Sequence, residues 1–425
     1  MKKIGFYAVA LFFTALLTGF NATAAAFADI HGFVEAGAGY RTSDDPHEAG
    51  RSLSETRLQA DLNGDMGPGS VIIKADFLYD DMEDDHSVDL SGGEGWLDLR
   101  EFNFSFSPLD FMDLKSGRQI LTWGTGDMIF INDMFPKDWV SFFSGRQSEY
   151  LKAPSDALKM SFFSPLINAD AVYTPQFDSD RYITGERISY WNGTLGAIAG
   201  RNAVALTEKP DDWFGDSETA LRLYRNFHGV ETALYGYEGF WKSPAGMSAG
   251  GKAVFPSLRV LGVSARWNFL NGIANAEAGK YDSMDDRDGD NPMIRNGEVR
   301  FLAGYEHELM KNLMLSMQFY TEHIEDYGNY VSSLFPGVTA KDENRRLLTM
   351  RLTKSAMKQN LVMSAFVFYS PTDKDMYLRP KVSYQASDSL FFETGANIFG
   401  GENVHTFFGQ FTENDNIYFR VKRGF

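Results

Sequence analysis

Polar residues recur at every second position in several parts of this sequence, as in Arg57, Gln59 and Asp61 and again in Lys74, Asp76 and Asp80. Alternate residues of an extended chain share one face. Such runs would therefore present fixed charges to a common aqueous surface. Reading the other segments in the same way gives Arg57, Lys74, Arg118, Arg266, Arg300 and Arg351 as candidate cations of one wall, with Asp61, Asp76, Glu101, Glu277 and Glu322 as its carboxylates. A wall of both signs can order ions and polar solutes, with fixed positive groups aiding anions and carboxylates aiding cations.

Bond-breaking chemistry finds less support. The seven histidines (His31, His47, His86, His228, His307, His323, His405) are scattered, and neither Gly-x-Ser-x-Gly nor His-Glu-x-x-His occurs. Ser316 stands near His307 and His323, but ordinary polar strand residues account for these better than a serine–histidine pair does. Cysteine is absent, which removes thiol chemistry, disulfides and covalent haem attachment through Cys-x-x-Cys-His. The acidic runs Asp80 to Asp85, Asp282 to Asp290 and Glu413 to Asp415 read as solvated loops. Asp286 to Asp290 lacks the closing glutamate of an EF-hand, so no metal and no cofactor is assigned. No enzymatic activity is expected, and nothing points to nucleic acid.

The densest mixture of charge and aromatics lies between Leu114 and Pro154. Phe130, Ile131, Phe135, Trp139, Val140, Phe142 and Phe143 make this stretch too apolar for a free loop, and it is too long for a turn. Folding into the mouth of a larger structure would bury the aromatics. It would also bring Arg118, Gln119, Asp127, Asp133, Lys137, Asp138 and Arg146 to a water-filled path.

The elements that must position these residues are strands. In 56–62 one face carries Leu58, Ala60 and Leu62 against Arg57, Gln59 and Asp61. In 71–79 Val71, Ile73, Ala75, Phe77 and Tyr79 alternate with polar residues, interrupted by Ile72 and Leu78. A hairpin around Gly64 to Gly69 joins the two. Comparable ladders run through Phe102-Phe104-Phe106, Leu158-Met160-Phe162, Leu261 to Phe269, Val299 to Tyr305, Leu313 to Phe319, Leu348 to Leu352 and Leu378 to Tyr384. Tight links (269–272, 309–312, 386–388) alternate with long polar ones (80–95, 124–155, 282–297, 325–345). The stretch Tyr182 to Gly229 fits no clean period.

The chain is hydrophilic on average yet rich in Phe, Tyr and Gly, and after its first residues it has no apolar run long enough for a membrane helix. Strands that bury only alternate residues in lipid reconcile these facts. Residues 1–28 read as a signal peptide: Lys2 and Lys3, an apolar core from Phe6 to Leu17, then Ala26-Phe27-Ala28 with cleavage before Asp29. Loss of Lys2 and Lys3 takes the formal charge from -17 to about -19. The expected fold is all-β: a single transmembrane antiparallel β-barrel over 29–425, of about 16–18 strands, with a loop near 124–154 folded inward.

Two segments carry a resemblance. Ile417, Phe419, Val421 and Phe425 alternate to the last residue, which resembles the terminal strand by which Gram-negative outer-membrane barrels are recognised by the assembly machinery. Arg423 departs from that pattern. Gly117-Arg118-Gln119, Trp123-Gly124 and Asp127 resemble a segment of alginate-export and related porin-like barrels. The likeness spans about 25 residues and implies a barrel with a transport role in the cell outer membrane. It also implies an inner-wall arginine facing acids of an inward loop, here Arg118 with Asp127 or Asp133. The expected function is a channel for small polar or charged solutes. The alternative is a non-conducting barrel that sheathes a periplasmic partner or displays a receptor or adhesin. Outer-membrane lipid and lipopolysaccharide are the expected surroundings, and a homotrimer is left open.

Overall fold

The computed structural model describes residues 26–83 and 86–425, so all but the end of the expected leader lies outside the described residues. The chain forms a closed antiparallel barrel of 18 strands. In chain order they are β1 Ala26–Arg41, β2 Arg51–Met66, β3 Gly69–Asp80, β4 Leu97–Leu109, β5 Met112–Ile120, β6 Pro154–Phe162, β7 Asn168–Thr174, β8 Glu218–Phe227 and β9 Val230–Phe240. The series continues with β10 Ser257–Phe269, β11 Gly272–Ser283, β12 Glu298–Met310, β13 Leu313–Ile324, β14 Asn344–Ala356, β15 Leu361–Ser370, β16 Asp375–Gln385, β17 Leu390–Gly401 and β18 Asn416–Gly424. Each pairs with its sequence neighbours, and β18 closes the ring on β1 from Phe33↔Gly424 to Arg41↔Asn416.

Every predicted ladder is a strand, and its apolar residues point outward. Leu58, Phe77, Leu261, Val299, Phe319, Leu348 and Phe419 are all exposed on the outer face, as a lipid-facing belt requires. Leu62↔Ile73, Ala60↔Ala75 and Leu58↔Phe77 place the outward residues of β2 and β3 side by side, while Asp61↔Lys74 and Gln59↔Asp76 face the lumen together. Ile72 and Leu78 fall in this inward set. No helix among the described residues is long and apolar enough to cross a membrane; the crossing is made by strands.

The connections separate by length. The links at 67–68, 110–111, 228–229, 270–271 and 311–312 are tight and lie at one end, together with 163–167, 357–360 and 386–389. At 270–271 both Leu270 (φ 43°) and Asn271 (φ 60°) are left-handed, as a two-residue hairpin that matches strand twist needs. The other end carries the loops 81–96, 121–153, 175–217, 241–256, 284–297, 325–343 and 402–415, with shorter ones at 42–50 and 371–374. The aperiodic stretch 182–229 is therefore mostly one loop, with β8 at its end and a small hairpin, Tyr190–Asn192 with Ala197–Ala199, inside it.

Candidate functional site

The 121–153 loop turns into the barrel and meets the wall in every sector. Trp123 packs 6.0 Å from Tyr235 of β9. Glu277 of β11 accepts hydrogen bonds from the backbone N–H of Thr125, of Gly126 (2.8 Å) and of Asn132 (3.3 Å), and from Asn132 Nδ2 (3.0 Å). Asp127 pairs with Arg351 of β14 at 2.6 Å. The short helix α1, Trp139–Ser144, is capped by Asp138, whose Oδ1 accepts from Ser141 N at 2.6 Å. It drives Phe142 and Phe143 between Phe368, Tyr377, Phe399 and Phe411. On the return, Arg146 spans Glu55 (2.8 Å) and Asp80 (3.0 Å). Tyr150 lies between the guanidinium groups of Arg57 (4.2 Å) and Arg100 (4.9 Å), with its hydroxyl on Asp76 at 2.8 Å. Apolar burial and paired charge together hold the loop as a shelf across the upper lumen.

Most of the expected path residues turn out to be fasteners of this shelf. Asp133 is buried against Lys137 (3.1 Å) and Thr122 (2.8 Å), and Asp138 also takes Arg181 at 3.2 Å. Arg146 is closed off by its two carboxylates, and the Gln119 amide donates to Ala157 O at 2.9 Å in a fully buried position. Of the seven, Asp127 alone stays half open to the lumen.

Arg118 requires a correction. Its register partners are Phe102 and Asp156, on the face opposite Asn103, Gln119 and Ala157. Strand alternation thus puts it on the outer side of the barrel, where Nη1 bonds Asp156 at 2.9 Å and Nε donates to Leu99 O at 2.6 Å. It faces neither Asp127 nor Asp133.

The other inner-wall candidates lie on the face turned to the lumen. Arg57 pairs with Asp76 at 2.5 Å, and Arg300 pairs with Glu298 at 2.8 Å while lying 3.9 Å over the Tyr281 ring. Arg266 is exposed on the inner face near the turn end. Lys74 forms ion pairs with Asp61 (3.1 Å) and Glu101 (3.7 Å). Glu101 in turn takes Lys115 at 3.4 Å.

This row continues through residues the sequence reading did not single out. Lys159 (4.0 Å) and Arg222 (3.3 Å) share Asp170, and Lys115 stands directly opposite Lys159 on the adjacent strand. The outward Leu114, Leu158 and Met160 were the available signal, since the lysines lie between them. The cations are the more open partners: Lys115 and Lys159 retain 29% and 30% side-chain exposure, against 16% for Glu101 and 4% for Asp170. On the far wall Lys381, at 30%, lies 3.4 Å from Glu393, at 4%.

A closed sheet with an apolar outer belt, tight turns at one end and an inward loop defines an outer-membrane barrel of porin type. Solved structures of similar fold come from Gram-negative bacteria. OccAB3 of Acinetobacter baumannii is 12% identical, covers 93% of this chain and 98% of its own, and superposes with a TM-score of 0.54. OccD3 of Pseudomonas aeruginosa is 9% identical over 95% of this chain and 92% of its own, with a TM-score of 0.52. OccK2 of the same organism, solved in complex with glucuronate, is 11% identical over 93% and 97%, also at 0.52. At these identities the likeness is one of fold. No protein-family model matches the sequence, and no curated protein does.

Proposed function

We propose that this barrel is a passive channel for small polar and charged solutes, and that its bore favours those bearing a carboxylate. The observation that carries the preference is the strip on β3 to β8, where Lys74, Lys115, Lys159 and Arg222 are open to the lumen while the acids that pair with Lys115, Lys159 and Arg222 are withdrawn. Two lysines directly opposite each other repel. Their juxtaposition makes sense where an anion passes between them. Glucuronate, bound by one protein of similar fold, is a solute of that class. The shelf weighs against a sheath, since a barrel that wrapped a periplasmic partner would need a lumen free along its length.

The test is single-channel recording of the refolded protein in a planar bilayer under a salt gradient. Stable conductance with a reversal potential on the anion side is expected. The double variant Lys115→Glu and Lys159→Glu should move that potential toward cations, and Arg118→Ala should leave it in place because Arg118 lies outside the bore. A sealed barrel would overturn the channel, and cation preference in the unmodified protein would overturn the carboxylate reading alone.

A further inference from the structure

The outer face of the barrel is not uniformly filled. At one level across β6 to β10 the register aligns Met160, Ala171, Leu221, Gly236 and Leu261. Large and small residues alternate in this row. The result is a groove of about 450 Å³ on the lipid-facing surface, within the ~300–1,000 Å³ typical of small-molecule sites. Gly236 forms part of its floor. A Cβ built there would meet nothing within 4 Å, so the strand has room for a side chain and the sequence supplies none. Glycine weakens a strand interior and often marks a close approach by a ligand.

One level nearer the long loops, the same strands carry Tyr173, Thr219, Glu238 and Arg259. Arg259 Nη2 bonds Glu238 at 3.2 Å, with the two side chains 46% and 67% exposed. That is the one hydrogen bond of the Arg259 fork among the described residues, which leaves most of its five donors open. A charged pair on the lipid-facing side, two residues from the strand end, stands at headgroup depth. Penultimate outward tyrosines of other strands, Tyr40 and Tyr79, mark the same rim.

We propose that this groove is a binding site for lipopolysaccharide, with one acyl chain lying over Gly236 and Ala171 between Leu221 and Leu261. A lipid A phosphate would sit on the Arg259 guanidinium, which suits it bidentately, and the sugar's hydroxyl and amide donors would meet Glu238. The polar end of the groove faces the long-loop end, hence the external leaflet, whose lipid in a Gram-negative outer membrane is lipopolysaccharide. The site is independent of whether the lumen conducts.

Native mass spectrometry of the full barrel in mild detergent, titrated with bis-phosphorylated lipid A, tests it. One lipid per barrel is expected, with binding weakened about tenfold by Arg259→Ala, the loss of a charge-assisted contact. Gly236→Leu, for which the structure has room, should weaken it likewise by filling the groove, and conductance should stay unchanged in both. Equal binding by both variants and the unmodified protein would overturn the proposal, as would equal binding of phosphatidylethanolamine. So would lipid-independent dimers or trimers lost on Gly236→Leu, which would assign the groove to a second copy of the chain.

Discussion

Glu277 gathers four N–H donors of the inward loop onto one carboxylate that is almost wholly buried. No cation is among these contacts, so three backbone N–H groups and one side-chain amide of the loop satisfy the carboxylate. Removing the carboxylate would strand those donors, and a buried donor left without a partner costs about 1–3 kcal/mol. Glu277→Ala is therefore expected to free the 124–132 limb of the shelf, giving larger and noisier single-channel currents and a lower denaturation midpoint in detergent. Glu277→Gln, which keeps one acceptor oxygen, should fall between the two. Currents of unchanged size and noise in the alanine variant would show that the aromatic packing of α1 alone fixes the shelf. Charge of this kind was legible in the sequence only as a position on the inner face. Alternation named Glu277 as inward, but the donors that meet it come from more than 140 positions earlier in the chain. Arg118 shows the converse error. The sequence reading put it in the lumen, both as a wall cation and through the resemblance of its segment, whereas counting parity from Gln119 and Ala157 puts it outside.

Loops behave as elements here, and their stability has its own pH dependence. Asp178, in the 175–217 loop, accepts from Ser155 Oγ at 2.8 Å and from Asp156 N at 2.9 Å. Its carboxyl is raised to about 6, by burial first and then by the neighbouring Asp156 carboxylate, with Arg118 and Lys242 pulling the other way. A raised acid binds its proton more tightly in the folded loop than in the unfolded chain. Stability from this group is thus full below the ordinary aspartate value and is lost as the pH rises through about 6. Amide exchange around 176–181 should accordingly be slower at pH 5 than at pH 7.5, and Asp178→Asn should flatten the difference. Exchange that slows with rising pH, after correction for the intrinsic rate, would refute the assignment. The strands of the barrel were readable because lipid on one side and water on the other impose a period of two. The 175–217 loop was unreadable because it meets neither a lipid face nor a continuous water face, packing instead through single contacts such as Arg187 with Asp80 and Ser189 with Asn414. The inward loop was the exception among connectors, betrayed by aromatics that had to be buried somewhere.

Closure is a property of the whole chain. In hydrocarbon every strand edge must be paired, because no water is present to satisfy its N–H and C=O groups. The ring meets that demand at the seam of β1 and β18, which continues to the last residue: Gly32 N donates to Phe425 O at 3.2 Å, and Phe425 N to Gly32 O at 3.0 Å. β1 and β18 thus close the barrel at the turn end. The exposed Phe419 and Phe425 also put aromatic surface at the terminus, the feature that resembles an assembly signal. Deleting 416–425 would leave β17 and β1 as two long free edges, a template for wrong pairing. That variant should lose the heat-dependent gel shift of a folded barrel and accumulate as aggregate. Phe425→Ala keeps the backbone pairing, so it should fold to the same shifted band once refolded in detergent. If it also assembles normally in cells, the terminal aromatic serves only the seam; if assembly falls while refolding does not, recognition of the last strand and closure of the ring are separable functions of the same residues.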